Sequence, residues 1–282
     1  MSESDFAARE QNARAQREEA PLGLLMRGIA RGEMTTLLAL SLLAALAWGW
    51  TLQQAQRMNM PDMPEMSYGV DSSALFTFAM WAVMMIAMML PAAAPIVLLH
   101  RRIGEHNKIS ERHKNEERNR EQDAQPPSTA LLILGYALVW SAFSALATFA
   151  QIALSLAAQI TPMLVLVNKQ IAGVVLIAVG IYQLTPFKQR CLTLCRSPFT
   201  FLSQHYRPGA LGTLRMGITH GWFCLGCCAA AMTLLFVGGV MNPLWIAGLS
   251  AFVLVEKVLP FGRAIGSTSG AIAIIVGIYW LV

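Results

Sequence analysis

Residues 74–99 read ALFTFAMWAVMMIAMMLPAAAPIVLL, and no side chain in this stretch is charged. An α-helix needs about 20 mostly apolar residues to cross the hydrocarbon of a bilayer, and this run exceeds that length. Working outward from it, similar runs occupy 35–52, 130–158, 165–186, 213–237, 242–259 and 265–282. The pattern predicts an all-α polytopic membrane bundle over 35–282 with about seven transmembrane helices, preceded by a polar tail over 1–34. Composition points the same way, since 55% of the 282 residues are hydrophobic and 13% charged, with a mean hydropathy of +0.50. A soluble domain carries about 25% charged residues, so a water-soluble enzyme is excluded and membrane lipid is expected around the chain. Five cysteines in a chain of this length make no disulfide framework.

Basic residues set the orientation. The tail, the connections 100–128 and 187–208, and the stretch 257–264 hold eighteen Lys and Arg, while the opposite side holds only Arg57 and Lys169. Basic residues collect on the cytoplasmic side, which predicts a cytoplasmic N-terminus and a bacterial inner-membrane location. The segment 100–128 alternates charges and reads as a solvated cytoplasmic arm containing His106 and His113. The basic residues do not cluster on one polar surface, so no nucleic-acid partner is expected.

Sulfur and imidazole donors carry the chemical signal. On the outward side, MNMPDMPEM places Met58, Met60, Met63 and Met66 in a proline-broken segment. Thioethers are soft, uncharged donors suited to capturing Cu(I) where a thiol would be oxidised. Within 74–99, Met80, Met84 and Met88 recur every four residues, with Met85 and Met89 in the neighbouring row. Pro91 and Pro95 follow and are expected to bend the helix inward of the methionines. The strongest constellation lies in GITHGWFCLGCCAAAM, where His220, Cys224 and Cys227 share one helical face and Cys228 lies on its shoulder. Thiolate and imidazole ligands favour Cu(I) or Zn(II) over magnesium or calcium. Gly217, Gly221 and Gly226 flank these residues and predict the close approach of another helix. At the inner end of the fourth run, Cys191 and Cys195 stand four apart among Lys188, Arg190 and Arg196, cations that favour thiolates. Glu256 is an isolated carboxylate in apolar sequence, expected to pair with Lys188, to accept a proton, or to snorkel with Lys257.

These motifs resemble a bacterial family of predicted metal-binding integral membrane proteins, some labelled copper chaperones. The resemblance runs from about residue 74 to 282. It rests on Met80, Trp81, Met84, Met88, Met89 and Pro91; on Tyr182, Pro186, Lys188, Cys191, Cys195, Arg196 and Pro198; and on His220, Gly221, Cys224, Gly226, Cys227, Cys228 and Met232. Met241, Asn242, Trp245, Glu256, Lys257 and Pro260 complete it, and Ala229 stands where the family carries Trp. The resemblance implies a protein that handles a metal within the membrane.

The expectation is a binding protein for a soft ion, Cu(I) or else zinc, that moves it by ligand exchange. In one order of events Met58 to Met66 collect the ion, Met80, Met84 and Met88 pass it inward, His220 with Cys224, Cys227 and Cys228 holds it, and Cys191 with Cys195 releases it; the outward direction fits the same residues equally. A protein that donates or accepts the metal is the expected partner. No G-x-x-x-x-G-K-[ST] signature for a nucleotide occurs. A thiol oxidoreductase using Cys224 and Cys227, and a metal-free assembly factor, are the alternatives.

Overall fold

The computed structural model describes residues 31–58, 70–116, 129–161, 164–207 and 209–282, and within them every regular element is a helix. In chain order these are α1 (Arg31–Met58), α2 (Val70–Glu116), α3 (Thr129–Leu156), α4 (Lys169–Leu184), α5 (Pro186–Arg196), α6 (Pro198–His205), α7 (Ala210–Thr233), the one-turn α8 (Leu235–Gly238), α9 (Pro243–Val258) and α10 (Gly262–Leu281). The bundle is built from pairs: α1 on α2, α2 on α3, α3 along α7, and α4 along α10. Shorter contacts set α5 against α7 and α9 against α2 and α10.

Five of the predicted runs form helices long and apolar enough to cross a membrane: Met34–Arg57, Ala74–Gly104, Thr129–Leu156, Ala210–Gly238 and Gly262–Leu281. The other two depart from the prediction. The run 165–186 ends at Leu184 and continues into α5 after a bend of 63°. Pro186 has no N–H to donate, and Thr185 serves both halves, donating to the Tyr182 carbonyl and accepting from the Lys188 amide. The run 242–259 forms a helix of 16 residues, about 24 Å long, against about 30 Å of hydrocarbon. The segment 100–128, expected as a solvated arm, is helical in its first part. α2 continues as helix to Glu116. In this stretch acids and bases recur three and four residues apart, as in Arg101 and Glu105 or Arg112 and Glu116, a pattern that supports helix in water.

Pro91 and Pro95 lie inside α2 without ending it. A proline at 91 leaves the Ala87 carbonyl without its usual partner four residues on. The Trp48 indole of α1 donates to that carbonyl at 3.1 Å, so a neighbouring helix supplies the missing bond. The methionine-rich half of α2 precedes these prolines and packs against α3. Met80, Trp81, Met84, Met85, Met88 and Met89 are all buried there, in one cluster with Cys191, Cys224, Cys227 and Cys228.

The α3–α7 crossing fixes which way α7 faces. A methyl on Gly217 would come 2.2 Å from the Leu132 carbonyl oxygen, so the two backbones touch at a point that admits only glycine. Gly221, one turn on, receives Val139. The thiol-bearing face of α7 is thereby turned into protein.

Candidate metal centre

α7 presents His220, Cys224, Cys227 and Cys228 along one buried face, and four other helices bring sulfur, phenol or ammonium to it. The Cys227 sulfur lies 3.8 Å from that of Cys195 on α5. The Cys228 sulfur lies 3.8 Å from the thioether of Met89 on α2. Cys224 sits between them, with the Tyr136 hydroxyl of α3 at 3.1 Å and the Lys257 ammonium of α9 at 3.0 Å from its sulfur. The thiols of Cys227 and Cys228 also turn back to the Cys224 carbonyl, at 3.1 and 2.8 Å, as donors three and four residues on in a helix can. All five cysteines are free thiols.

Cys195 reaches this point because of the break in its helix. The bend after Leu184 lays α5 across α7, and Gly226 leaves the room for it: a methyl there would come 2.8 Å from the Cys191 sulfur. Cys191 and Cys195 therefore join the α7 face and do not form a separate station at the inner end. Three polar contacts hold α5 in place. Lys188 and Glu256 form a salt bridge with side chains 1% and 2% exposed. The Arg196 guanidinium donates to the Leu259 carbonyl at 2.6 Å, and Arg263 donates to Thr193 at 2.9 Å. Lys188 is thus committed to Glu256, and the cation that touches a thiol is Lys257, which is buried and does not snorkel.

His220 stands one turn before Cys224 in an aromatic setting, its ring centroid 5.8 Å from Tyr136 and 5.2 Å from Phe201. Its Nδ1 is buried without a hydrogen-bond partner. Met80, Met84 and Met88 are buried in the same cluster, but the methionine at a thiol is Met89, from the neighbouring row of α2. Met60, Met63 and Met66 lie outside the described residues, as do the side chains of Met58, His106 and His113.

The donors meet in pairs. Among the described residues, no three His, Cys, Asp or Glu side chains are close enough to enclose one ion. Two sulfurs 3.8 Å apart can nevertheless share an ion. With metal–thiolate bonds of about 2.3 Å they subtend an angle of about 110° at it, which suits tetrahedral or trigonal coordination. The donor set is soft throughout, as Cu(I) requires.

A family model described as copper chaperone matches residues 78–280. The chain belongs to this copper chaperone family. The matched span takes in all five cysteines, Met89, Tyr136, His220 and Lys257, and leaves out α1 and the Met58 to Met66 segment. No curated protein and no solved structure matches the chain. Membership therefore ties the chain to copper.

Sequence spacing placed the thiols of α7 on one face, but three participants escaped it. Met89 was legible only as a member of the second methionine row. Tyr136 carried no motif, and Lys257 entered only as a cation that could snorkel beside Glu256.

Proposed function

We propose that this protein is an integral membrane copper chaperone that binds Cu(I) as cargo on the sulfurs gathered around Cys224 and passes it on by ligand exchange. The observation that carries this reading is the meeting of sulfur from three helices, as two close pairs within one buried cluster: Cys195 with Cys227, and Met89 with Cys228. Sulfur pairs only 3.8 Å apart let an ion move from one to the next without being released, because each new bond forms as an old one lengthens. Cys195 and Cys227 are the first holders in this account, with Cys224, Cys228 and Met89 adjacent. Met80, Met84 and Met88 line the route toward the methionine segment 58–66, and His220 borders the centre. Zinc fits the thiols less well, since a closed zinc site takes four ligands and no such cage is present among the described residues.

Lipid is the proposed surrounding. Leu38, Leu42 and Leu46 on α1, and Ile272, Ile275 and Tyr279 on α10, are exposed apolar residues that water would penalise and acyl chains would accept. The excess of basic residues on one side assigns the N-terminus to the cytoplasm of a bacterial cell. A protein that donates or accepts Cu(I) is the proposed partner.

The test is the copper content of detergent-purified protein under reducing conditions. The wild type retains about one Cu(I) per chain, and the Cys195→Ser, Cys227→Ser double variant loses it. A wild type without copper that forms a reversible Cys195–Cys227 disulfide would instead favour a thiol oxidoreductase, for which the same 3.8 Å separation is suitable. The C-x-x-C pair is the weaker redox couple, because the Cys227 thiol is turned to the Cys224 carbonyl.

A further inference from the structure

Cys224 is central in the sulfur cluster, yet its sulfur already has a cation on it. The Lys257 ammonium lies 3.0 Å away, and both side chains are buried, at 5% and 1% exposure. An ammonium has three N–H groups to satisfy, and the partner the structure gives Lys257 among the described residues is this sulfur. The adjacent carboxylate on α9, Glu256, is bonded to Lys188 instead. Residues 256 and 257 project about 100° apart around the helix, so α9 directs its acid toward α5 and its ammonium toward α7.

Tyr136 approaches the same sulfur from α3. Its single hydroxyl hydrogen has a second acceptor in the Met89 carbonyl at 3.1 Å. The phenol keeps a partner if Cys224 is taken by another group; Lys257 does not.

We propose that Lys257 competes with the metal for Cys224, standing on that sulfur in the metal-free protein and withdrawing when an ion takes it. The proposal rests on the copper reading above. An ion bonded to Cys224 must come to about 2.3 Å from its sulfur, and a buried ammonium 3.0 Å away repels it strongly in a medium of low dielectric constant. Cys195 and Cys227 form their own close pair, and the direct contact of Lys257 is with Cys224. Lys257 thus separates a two-sulfur hold from a hold of three or more, and keeps the cargo exchangeable by opposing the tighter one. Such opposition suits a chaperone, which has to give its ion up.

Cu(I) affinity, measured by competition with the chromogenic chelator bicinchoninate in detergent under reducing conditions, tests the proposal. Lys257→Leu removes the ammonium without adding a soft donor, and is expected to tighten Cu(I) binding about tenfold or more, as the loss of a close buried charge repulsion should. Lys257→Gln keeps length and a donor but drops the charge, and should tighten in the same direction; it decides the matter if the leucine variant does not fold. In a Cys224→Ser background neither change should tighten binding, because the contested sulfur is gone. Weaker or unchanged binding in the Lys257 variants overturns the proposal while leaving the copper reading intact. A wild type that binds no Cu(I) overturns the copper reading itself, and this proposal with it.

Discussion

At the α3–α7 crossing a methyl on Gly217 would come 2.2 Å from the Leu132 carbonyl oxygen, and at the α4–α10 crossing one on Gly180 would come 2.6 Å from that of Gly270. Both pairs of helices use glycine to bring backbones into contact, a solution suited to lipid, where no hydrophobic effect presses helices together. What surrounds the two crossings differs. Beside Gly217 the face of α7 carries His220 and three cysteines, and Tyr136 of α3 bonds to one of them. Beside Gly180 the buried residues of α4 are Ala172, Gly173, Leu176, Val179 and Gln183, none of them a soft donor, and α10 turns Ile272 and Ile275 outward. Tight packing alone is therefore no sign of chemistry in this molecule. The informative feature is where close helices enclose soft donors.

The largest effect should come from breaking the join between the two regions. Glu256→Leu leaves the Lys188 ammonium buried and unpaired, at an expected cost of about 3–5 kcal/mol in denaturant unfolding from micelles. It should also release α5 and, with it, Cys195 from Cys227, so copper content falls as well. Next in size are the crossings themselves. Gly217→Ala and Gly180→Ala should each destabilise by about 1–3 kcal/mol through overpacking, but only Gly217→Ala should lower bound copper. Equal copper loss in both would erase the distinction drawn here.

Smaller effects sharpen it further. Trp48→Phe removes the donor to the Ala87 carbonyl and should cost about 1 kcal/mol, read as a lower unfolding midpoint with copper retained. Met89→Leu preserves volume and should change stability by less than about 1.5 kcal/mol, yet weaken Cu(I) binding several-fold in chelator competition. Met88→Leu, on the same turn, should leave that affinity unchanged, because Met89 is the methionine at Cys228.

The helical architecture was legible in the sequence because uncharged length is a strong signal. The run 74–99 became the core of α2, with Pro91 inside it and the Ala87 carbonyl that this proline leaves free taken up by Trp48, a partner on another helix. The run 165–186 contains Pro186, but a proline does not say which way the chain turns after a break. That direction is set by tertiary contacts: Lys188 with Glu256, and Cys191 against Gly226. It is what brings Cys195 to Cys227. The helical continuation of α2 past Arg101 was not assigned from the sequence, since polarity speaks to water exposure and not to backbone conformation. At the candidate site, a spacing of four fixed the shared face of Cys224 and Cys228, and the pairing expected of Glu256 with Lys188 is the one formed, whereas nothing in the sequence aimed Lys257 at Cys224. Neighbouring residues of a helix point to different partners, and only the packed neighbours reveal which.

The central claim is that the cysteine sulfurs around Cys224 hold copper. X-ray absorption at the copper edge, on reduced protein loaded with one equivalent of Cu(I), addresses it most directly. The account predicts a shell of sulfur scatterers at about 2.3 Å, as for metal–thiolate bonds generally, which disappears in the Cys195→Ser, Cys227→Ser variant. A shell of nitrogen or oxygen alone, or a sulfur shell that survives in the double variant, would contradict it.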